Sequence, residues 1–231
     1  MYFYGWTFIV VIPALILSFY AQFKVNSAYK KYSAVRNTKG YTAADVARQL
    51  LMTSHISDVN VEPIPGNLTD HYDPKSKTLR LSEGVYNSQS LAAIGIAAHE
   101  TGHAIQDYDG YGPLALRSGL VPMANISQMA VPLVILGLVF SSGLGSFGTL
   151  LINIGILLYT VTVAFYLVTL PVEFNASGRA IQLLSEYNFL TPDEIGPAKK
   201  VLSAAALTYV AAALSAVLTL VRLVLLSQRR R

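Results

Sequence analysis

Four long apolar stretches restrict this chain to folds that a membrane can hold. They run from Tyr4 to Phe23, from residue 125 to 142, from Phe147 to Leu170 and from Val201 to Leu226. Each approaches the roughly 20 residues that an α-helix needs to cross the hydrocarbon core. Backbone N–H and C=O groups in lipid must be bonded within the protein, so we expect four helices. A short Gly/Ser-rich link, 141–148, joins the second and third stretches, which predicts a helical hairpin with small residues at its turn.

The first stretch could instead be a removable signal peptide, but its flanks argue against this. No lysine or arginine precedes it, and no small-residue cleavage site follows it. The composition also favours a membrane protein, because 53% of the residues are hydrophobic and only 13% are charged. We therefore predict a mainly α, four-helix transmembrane protein in which residues 1–231 form a single integral-membrane domain. Its catalytic segments would be 24–120 and 171–200.

A histidine pair in the middle of the chain carries the main chemical signal. His99-Glu100-Thr101-Gly102-His103 is an H-E-x-x-H motif within the apolar run Leu91–Gln106. Residues four apart share a helix face, so His99 and His103 can hold one metal ion. Glu100, one position along, can act on a water beside the metal without being a ligand. The alternative is two histidines bonded within a helical core, and the scarcity of histidine, four in the chain, argues against it.

The flanks of the motif define a helix. Asn87 or Ser88 can cap its start, and Gly110 follows its end. Gly95 and Gly102 weaken a helix, so we expect another backbone to approach closely there. The helix is too short and too polar at its ends to span a bilayer, so we place it at or just outside the membrane surface.

A polar region lies upstream of this helix. Thr78–Ser82 alternates as a strand does, after a turn at Asp73–Ser76. It could be the edge that pairs with an extended peptide substrate, or an ordinary edge strand. His71 in the same region could be a metal ligand, an oxyanion stabiliser or simply a solvated side chain.

Capping residues predict two further helix starts. Thr42 followed by Asp45 is a cap with an acidic N3 residue, and Thr191-Pro192-Asp193-Glu194 places an N-cap, an N1 proline and an N3 glutamate in order. Pro197 then predicts a kink or a restart before the last apolar stretch.

The third metal ligand must come from outside the motif. The chain has no cysteine, so zinc would need His71 or a carboxylate beside the two histidines. The extended motif H-E-x-x-H-x-x-G-x-x-H is absent, because Gln106 and Asp109 stand at its glycine and its last histidine. Among the other acids, Asp107 and Asp109 are too near the motif to fold back onto it. Glu186 and Glu194 look like exposed helix or capping residues.

Glu173 is the best candidate by position. It follows the apolar stretch that ends at Leu170, so it emerges at the membrane surface. Pro171 can begin a new helix there, and Glu173 then shares a face with small residues that could pack against the histidine helix. A merely solvated acidic residue at the membrane boundary is the alternative.

The motif and its partners resemble known membrane metalloproteases. His99–His103 with the later Glu173-Phe174-Asn175-Ala176-Ser177 resembles the gluzincin-type enzymes, including the HtpX and CAAX-prenyl protease family with H-E-x-x-H and E-x-x-A-D. Over nearly the whole chain the closer resemblance is to the YugP-type neutral zinc metallopeptidases of bacterial membranes. Its cues are Asp70-His71-Tyr72-Asp73-Pro74, Leu81-Ser82-Glu83, His103-Ala104-Ile105-Gln106 and Pro171-Val172-Glu173-Phe174-Asn175.

The resemblance implies Zn²⁺ at His99, His103 and Glu173, with Glu100 as the catalytic base. Ser177 replaces the aspartate of the broader family, so a ligand histidine must be oriented differently here. Arg179 stands where relatives often have a basic residue, either for a substrate carbonyl or for a structural ion pair. Tyr108, like His71 and Arg179, could assist at the oxyanion.

Charge indicates lipid as a partner and gives an orientation. The net charge of +4 lies partly after the first apolar stretch and partly in Arg229–Arg231, which favours headgroups over nucleic acid. We expect a protein of the bacterial cell membrane. By the positive-inside rule, the basic residues in Lys24–Arg36 predict that its catalytic segments face the cytoplasm. Four spans then put Arg229–Arg231 outside, so either the last helix does not cross fully or one cluster breaks the rule.

The leading function is an integral-membrane zinc endopeptidase that cuts membrane or membrane-associated proteins. A non-catalytic zinc-bearing scaffold is the main alternative, although a scaffold has no use for Glu100. A zinc hydrolase of a non-peptide amide is a third. A protein or peptide substrate and the lipid bilayer are the expected partners, with a homo-oligomer or another membrane protein left open.

Overall fold

The computed structural model describes residues 6–141 and 145–228, which form mainly helices and one three-stranded sheet. A short 3-10 helix, Trp6–Val11, leads into the first α-helix. The elements are α1 (Ile12–Ser33), α2 (Ala43–Thr53), β1 (Asn60–Ile64), β2 (His71–Asp73), β3 (Thr78–Ser82), α3 (Glu83–Tyr86), α4 (Leu91–Tyr108), α5 (Gly112–Ser127), α6 (Ala130–Phe140), α7 (Gly145–Glu186) and α8 (Pro192–Gln228).

The prediction of a mainly α protein with four spanning helices is confirmed. Within the described residues, four helical stretches are long and apolar enough to cross a membrane: Thr7–Ser33, Gly112–Phe140, Gly145–Glu186 and Pro192–Gln228. Arg229–Arg231, one of the two basic clusters used for orientation, lies outside the described residues.

The chain divides into two compact units. We call the unit built from 21–115 and 171–208 the sheet unit, and the unit built from the described residues of 1–20, 116–170 and 209–231 the membrane unit. The helix α7 therefore contributes its apolar part, up to Leu170, to the membrane unit and the remainder to the sheet unit.

The sheet has the strand order β1-β3-β2. β3 pairs in parallel with β1 and antiparallel with β2. The strand predicted at Thr78–Ser82 is present, but its assignment as an edge is wrong. Partners on both sides satisfy its backbone, and Leu79 and Leu81 are fully buried, as expected of a central strand. β2 is an edge strand instead.

A buried apolar cluster holds the helices of the sheet unit together. Val46 and Leu50 of α2 pack with Leu91 and Ile94 of α4 and with Leu184 of α7 in this cluster. The predicted start of α2 is confirmed as a capping box, in which Thr42 and Asp45 bond each other's backbone N–H.

The limits of α4 differ from the prediction at one end. The helix is capped by Ser90, whose side chain accepts a hydrogen bond from the Ala93 N–H. Asn87 instead ends the short helix α3, which the sequence did not predict, so neither Asn87 nor Ser88 caps α4. At the other end α4 stops before Gly110, which has a φ of +65° as predicted for a helix terminator.

Pro171 and Pro197 lie inside continuous helices, as Pro122 does in α5. Pro171 does not begin a new helix, because α7 runs through it from Gly145 to Glu186. Pro197 likewise causes no restart, since α8 is continuous from Pro192, whose predicted start is confirmed by the Thr191 N–H bond to Glu194. A proline costs one helical hydrogen bond, and α7 stays continuous here with Thr169 before Pro171 and Val172 after it both buried.

In the membrane unit, α6 and α7 form the predicted close helical pair. A Cβ added at Gly155 would lie 2.7 Å from the Ala130 carbonyl oxygen, and one at Gly137 would lie 2.7 Å from that of Gly148. Only glycine allows backbones to approach so closely. Residues 142–144, in the predicted turn, lie outside the described residues.

Candidate metal centre

The two histidines of α4 face one carboxylate of α7. The Nε2 atoms of His99 and His103 lie 3.2 Å and 3.6 Å from Glu173 Oε2. The imidazole ring centroids are 4.7 Å apart and the rings are nearly perpendicular. One potential ligand atom from each of the three residues lies within 4.8 Å of the others, so one ion could touch all three.

The absence of a side chain at Gly102 allows α4 and α7 to approach each other closely at this site. A Cβ added at Gly102 would lie 2.6 Å from the Ala176 carbonyl oxygen and 3.1 Å from the Ala176 Cα. The close backbone approach predicted at Gly102 is therefore confirmed. At Gly95 the nearest atoms would be 3.7 Å away, an ordinary contact with Ala198, so the same prediction is wrong there.

The centre favours positive charge. Burial lowers the pKa of the His103 imidazole, but the hydrogen bond to Glu173 and the charge of Glu100 outweigh it, and the pKa is raised overall. Burial likewise raises the pKa of the Glu173 carboxyl, yet His103 and His99 bring it well below its ordinary value. Both directions mean that a cation between these groups is stabilised.

Each histidine is also held through its other ring nitrogen. His99 Nδ1 lies 3.0 Å from the Ser177 hydroxyl, and His103 Nδ1 lies 3.0 Å from the Gln106 side-chain oxygen. Such contacts orient an imidazole and leave its Nε2 directed at the metal position. Ser177, at the position of the broader family's aspartate, thus contacts a histidine of the motif.

Glu100 lies beside the histidines and is anchored by the edge strand. Its Oε2 accepts a hydrogen bond of 3.1 Å from the Tyr72 backbone N–H of β2. Its carboxylate makes no other hydrogen bond with the described residues, so Oε1 remains available to a water or a substrate. A base held by one oxygen and open at the other suits proton transfer.

The strand that anchors Glu100 is itself fixed to α4 two turns further along. The Tyr72 hydroxyl donates to Asp107 Oδ2 over 2.8 Å, and Lys77 Nζ lies 2.7 Å from the same oxygen. Burial raises the pKa of the Tyr72 phenol, and the hydrogen bond to Asp107 raises it further, so it stays protonated. Glu100 and Asp107, seven residues apart, share the helix face that meets β2.

Other candidates from the sequence lie apart from the three-residue cluster. His71 is on β2, with Nδ1 2.8 Å from the Thr69 carbonyl oxygen, and is not part of the cluster. Arg179 forms an ion pair of 2.5 Å with Asp109. Of its two predicted roles, contact with a substrate carbonyl or a structural ion pair, this is the second. Tyr108 is exposed, and Glu194 caps α8.

Sequence reasoning missed three residues of the centre: Gln106, Asn175 and Tyr72. All three occur in the segments that carry the family resemblance, but the sequence assigns none of them a role. A polar residue three positions after His103, inside an otherwise apolar helix, was the available signal. Nothing local indicates Tyr72, because its contact with Glu100 joins residues 28 apart.

The residues present fit zinc. Two imidazoles and one carboxylate form a donor set that zinc accepts, with a fourth position left for water or substrate. The buried, ionised carboxylate and the oriented rings supply the charge and the geometry that this ion requires.

Comparisons with known proteins agree with this chemistry. A family model described as "Putative neutral zinc metallopeptidase" matches residues 7–228. "Putative membrane protease YugP" of Bacillus subtilis (strain 168) is 48% identical over 217 residues, which cover 94% of each chain. No solved structure matches. The resemblance to the YugP-type peptidases is thus confirmed.

Proposed function

This chain belongs to the "Putative neutral zinc metallopeptidase" family, and we propose that it is an integral-membrane, zinc-dependent endopeptidase acting on membrane or membrane-associated proteins. The observation that carries the proposal is the meeting of His99, His103 and Glu173 beside an anchored Glu100. The whole chain would work as one metallopeptidase domain.

The proposed ligands are His99, His103 and Glu173, which makes the site gluzincin-type. Zinc bound there would polarise the scissile carbonyl and lower the pKa of the attacking water. The low pKa of Glu173 supports this assignment, since the carboxylate stays ionised although only 2% of the residue is exposed.

Glu100 is the proposed general base and acid. It takes a proton from the attacking water and gives it to the leaving amine of the substrate. The Tyr72 N–H holds Oε2, so the carboxylate keeps one orientation while Oε1 exchanges the proton.

The outer edge of β2, on the side away from β3, is the proposed docking place for an extended peptide. Tyr72 directs its N–H away from β3 and toward Glu100, so the strand edge borders the catalytic base. A peptide pairing with that edge would present its backbone next to the metal ligands. This replaces β3, whose two sides are both paired.

The non-catalytic zinc scaffold remains the alternative function. It requires the three ligands but not Glu100, and the hydrogen bond that orients Glu100 has no purpose in a scaffold. Loss of activity with retention of zinc on changing Glu100 alone distinguishes the two.

The proposed location is the bacterial cell membrane with the catalytic segments facing the cytoplasm. Lys24, Lys30, Lys31 and Arg36 follow the first apolar stretch, and the positive-inside rule favours the cytoplasm for them. Because the chain has no cysteine, a single one introduced by Ser227→Cys and labelled with an impermeant reagent reports this orientation.

The central experiment compares Glu100→Gln with the wild type in detergent. We expect the variant to keep about one zinc per chain and to lose at least about 10²-fold in peptide hydrolysis, the usual contribution of a general base. Metal content is measured after purification, and cleavage is measured on a mixed peptide library and by proteomic comparison of cells carrying either form.

Two controls make the result decisive. Glu173→Gln, which keeps the shape but not the charge, should lose zinc together with activity. Glu186→Gln changes an exposed glutamate of the same helix and should change neither. Wild-type cleavage by Glu100→Gln, or a wild-type chain that holds no zinc, would contradict the proposal.

A further inference from the structure

Gln106 has a buried side chain whose amide nitrogen and amide oxygen both have hydrogen-bond partners. It lies on α4 three residues after His103 and has no exposed surface. Its Nε2 donates to the Val172 carbonyl oxygen and to Asn175 Oδ1, both over 2.9 Å. Its Oε1 lies 3.0 Å from His103 Nδ1.

The orientation of this amide follows from its neighbours. The Val172 carbonyl can only accept a hydrogen bond, so the Gln106 atom that faces it must be the NH₂ group. Asn175 is fixed in the same way, because Arg179 Nε, 2.9 Å away, can only donate and so must face an oxygen. Two groups of unambiguous polarity therefore determine both amides.

The orientation of Gln106 in turn determines the tautomer of His103. An amide oxygen can only accept, so His103 Nδ1 must carry a hydrogen. A neutral imidazole with its hydrogen on Nδ1 has its lone pair on Nε2, the atom that faces Glu173. His99 has no such constraint, since the Ser177 hydroxyl can either donate or accept.

We infer that Gln106 is a positioning residue: it holds His103 as the Nδ1–H tautomer, with Nε2 free for the metal, and bonds this ligand to the helix that carries Glu173. The metal role of the inference rests on the proposed function. The link to α7 is direct, because Val172 immediately precedes Glu173 and Asn175 follows two residues later. One amide thus sets the positions of ligands from two helices.

The first test needs no substitution. In protein labelled with ¹⁵N-histidine, long-range ¹H–¹⁵N spectra distinguish the two tautomers, and with four histidines in the chain His103 can be assigned from His103→Ala. We expect a hydrogen on His103 Nδ1 both with zinc and after chelation, because the bonds to Gln106 do not require the metal. A His103 that lacks a hydrogen on Nδ1 in either state would overturn the inference.

The second test is Gln106→Met, which keeps the length and apolar volume of the side chain but removes its hydrogen bonds. We expect zinc affinity, measured by chelator competition, to fall by about 10- to 100-fold, the usual effect of losing a group that orients a ligand. Gln182→Met makes the same chemical change at an exposed position of α7 and should bind zinc as the wild type does.

The outcomes separate this inference from the proposed function. A wild-type chain without zinc overturns the proposed function, while the tautomer of His103 still decides the role of Gln106. A wild-type chain that binds zinc, with Gln106→Met binding it equally well, overturns the inference alone. If Gln106→Met does not fold, the wild-type tautomer alone is decisive.

Discussion

The sheet unit and the membrane unit each contain a helix crossing that only glycine permits. An added Cβ would come within 2.6 Å of the Ala176 carbonyl oxygen at Gly102 and within 2.6 Å of Val134 Cγ2 at Gly155. The surroundings differ. Gly102 lies on the helix of His103 and meets Ala176, three residues after Glu173, whereas Val134 and Ala130 face Gly155.

The difference shows that the same backbone geometry serves two purposes. In the membrane unit, close approach is itself the source of stability, because lipid offers no hydrophobic driving force and helices gain mainly by packing. In the sheet unit, close approach sets the distance between the proposed ligands from α4 and α7, and hydrogen bonds through Gln106 link the two helices there. Adding a methyl group at either crossing tests this distinction.

The largest effect is expected for Gly102→Ala. The new methyl group meets backbone atoms of Ala176, which cannot rotate away, so α7 must move outward and carry Glu173 with it. A displacement of about 1 Å in such a site can cost about 10²-fold in activity. We expect at least that loss, with weaker zinc binding, measured by peptide hydrolysis and chelator competition.

Gly95→Ala provides a matched control on the same helix. Its methyl group would lie 3.7 Å from Ala198, an ordinary contact, so activity and zinc binding should be unchanged. Alanine is the better helix former by up to about 1 kcal/mol, and the variant should be at least as stable as the wild type. Equal behaviour of Gly95→Ala and Gly102→Ala would refute the role given to this crossing.

A smaller and different effect is expected for Gly155→Ala. The methyl group would overlap the Ala130 carbonyl oxygen and Val134, and overpacking of this kind costs about 1–3 kcal/mol. We expect a lower unfolding temperature in detergent while each folded molecule still binds one zinc. Gly119→Ala, where nothing lies within 4 Å, is the control. If folded Gly155→Ala lost zinc, the crossing at Gly155 would also affect the metal centre, and the two crossings would not differ in purpose.

The sequence predicts the parts of this molecule that local signals determine. Long apolar stretches predict four helices wherever they occur, and the caps at Thr42 and Thr191 satisfy N–H groups a few residues away. The histidine spacing of four places His99 and His103 on one face whatever surrounds them. The position of Glu173 after an apolar stretch, together with its motif, identified the third member of the cluster.

The sequence fails where distant residues decide the structure. β3 looks like an edge strand, but its pairing with β1 depends on a segment with no clear strand pattern. Pro171 looks like a helix start, but α7 runs through it between the buried residues Thr169 and Val172, whose burial no local pattern indicates. The contacts of Gln106 with Val172 and Asn175 join residues 66 and 69 positions apart, which no local pattern indicates.

The smallest expected effect concerns a polar contact inside the membrane unit. The Ser127 hydroxyl donates its only hydrogen to the Ala124 carbonyl, so Thr162 must be the donor in the 2.7 Å contact between Thr162 and Ser127. Thr162→Val removes that donor at nearly constant volume. Polar contacts between membrane helices average about 0.6 kcal/mol, because the separated helices also find partners in lipid.

We therefore expect Thr162→Val to lower the unfolding free energy in detergent by only about 0.6 kcal/mol. Thr160→Val is the matched control, since Thr160 bonds only the Ile156 carbonyl within its own helix. A loss as large as that of Gly155→Ala would mean that hydrogen bonding, and not backbone packing, holds α5 and α7 together. The membrane unit would then resemble the sheet unit, where burial leaves the partners of Gln106 without water to replace a lost bond.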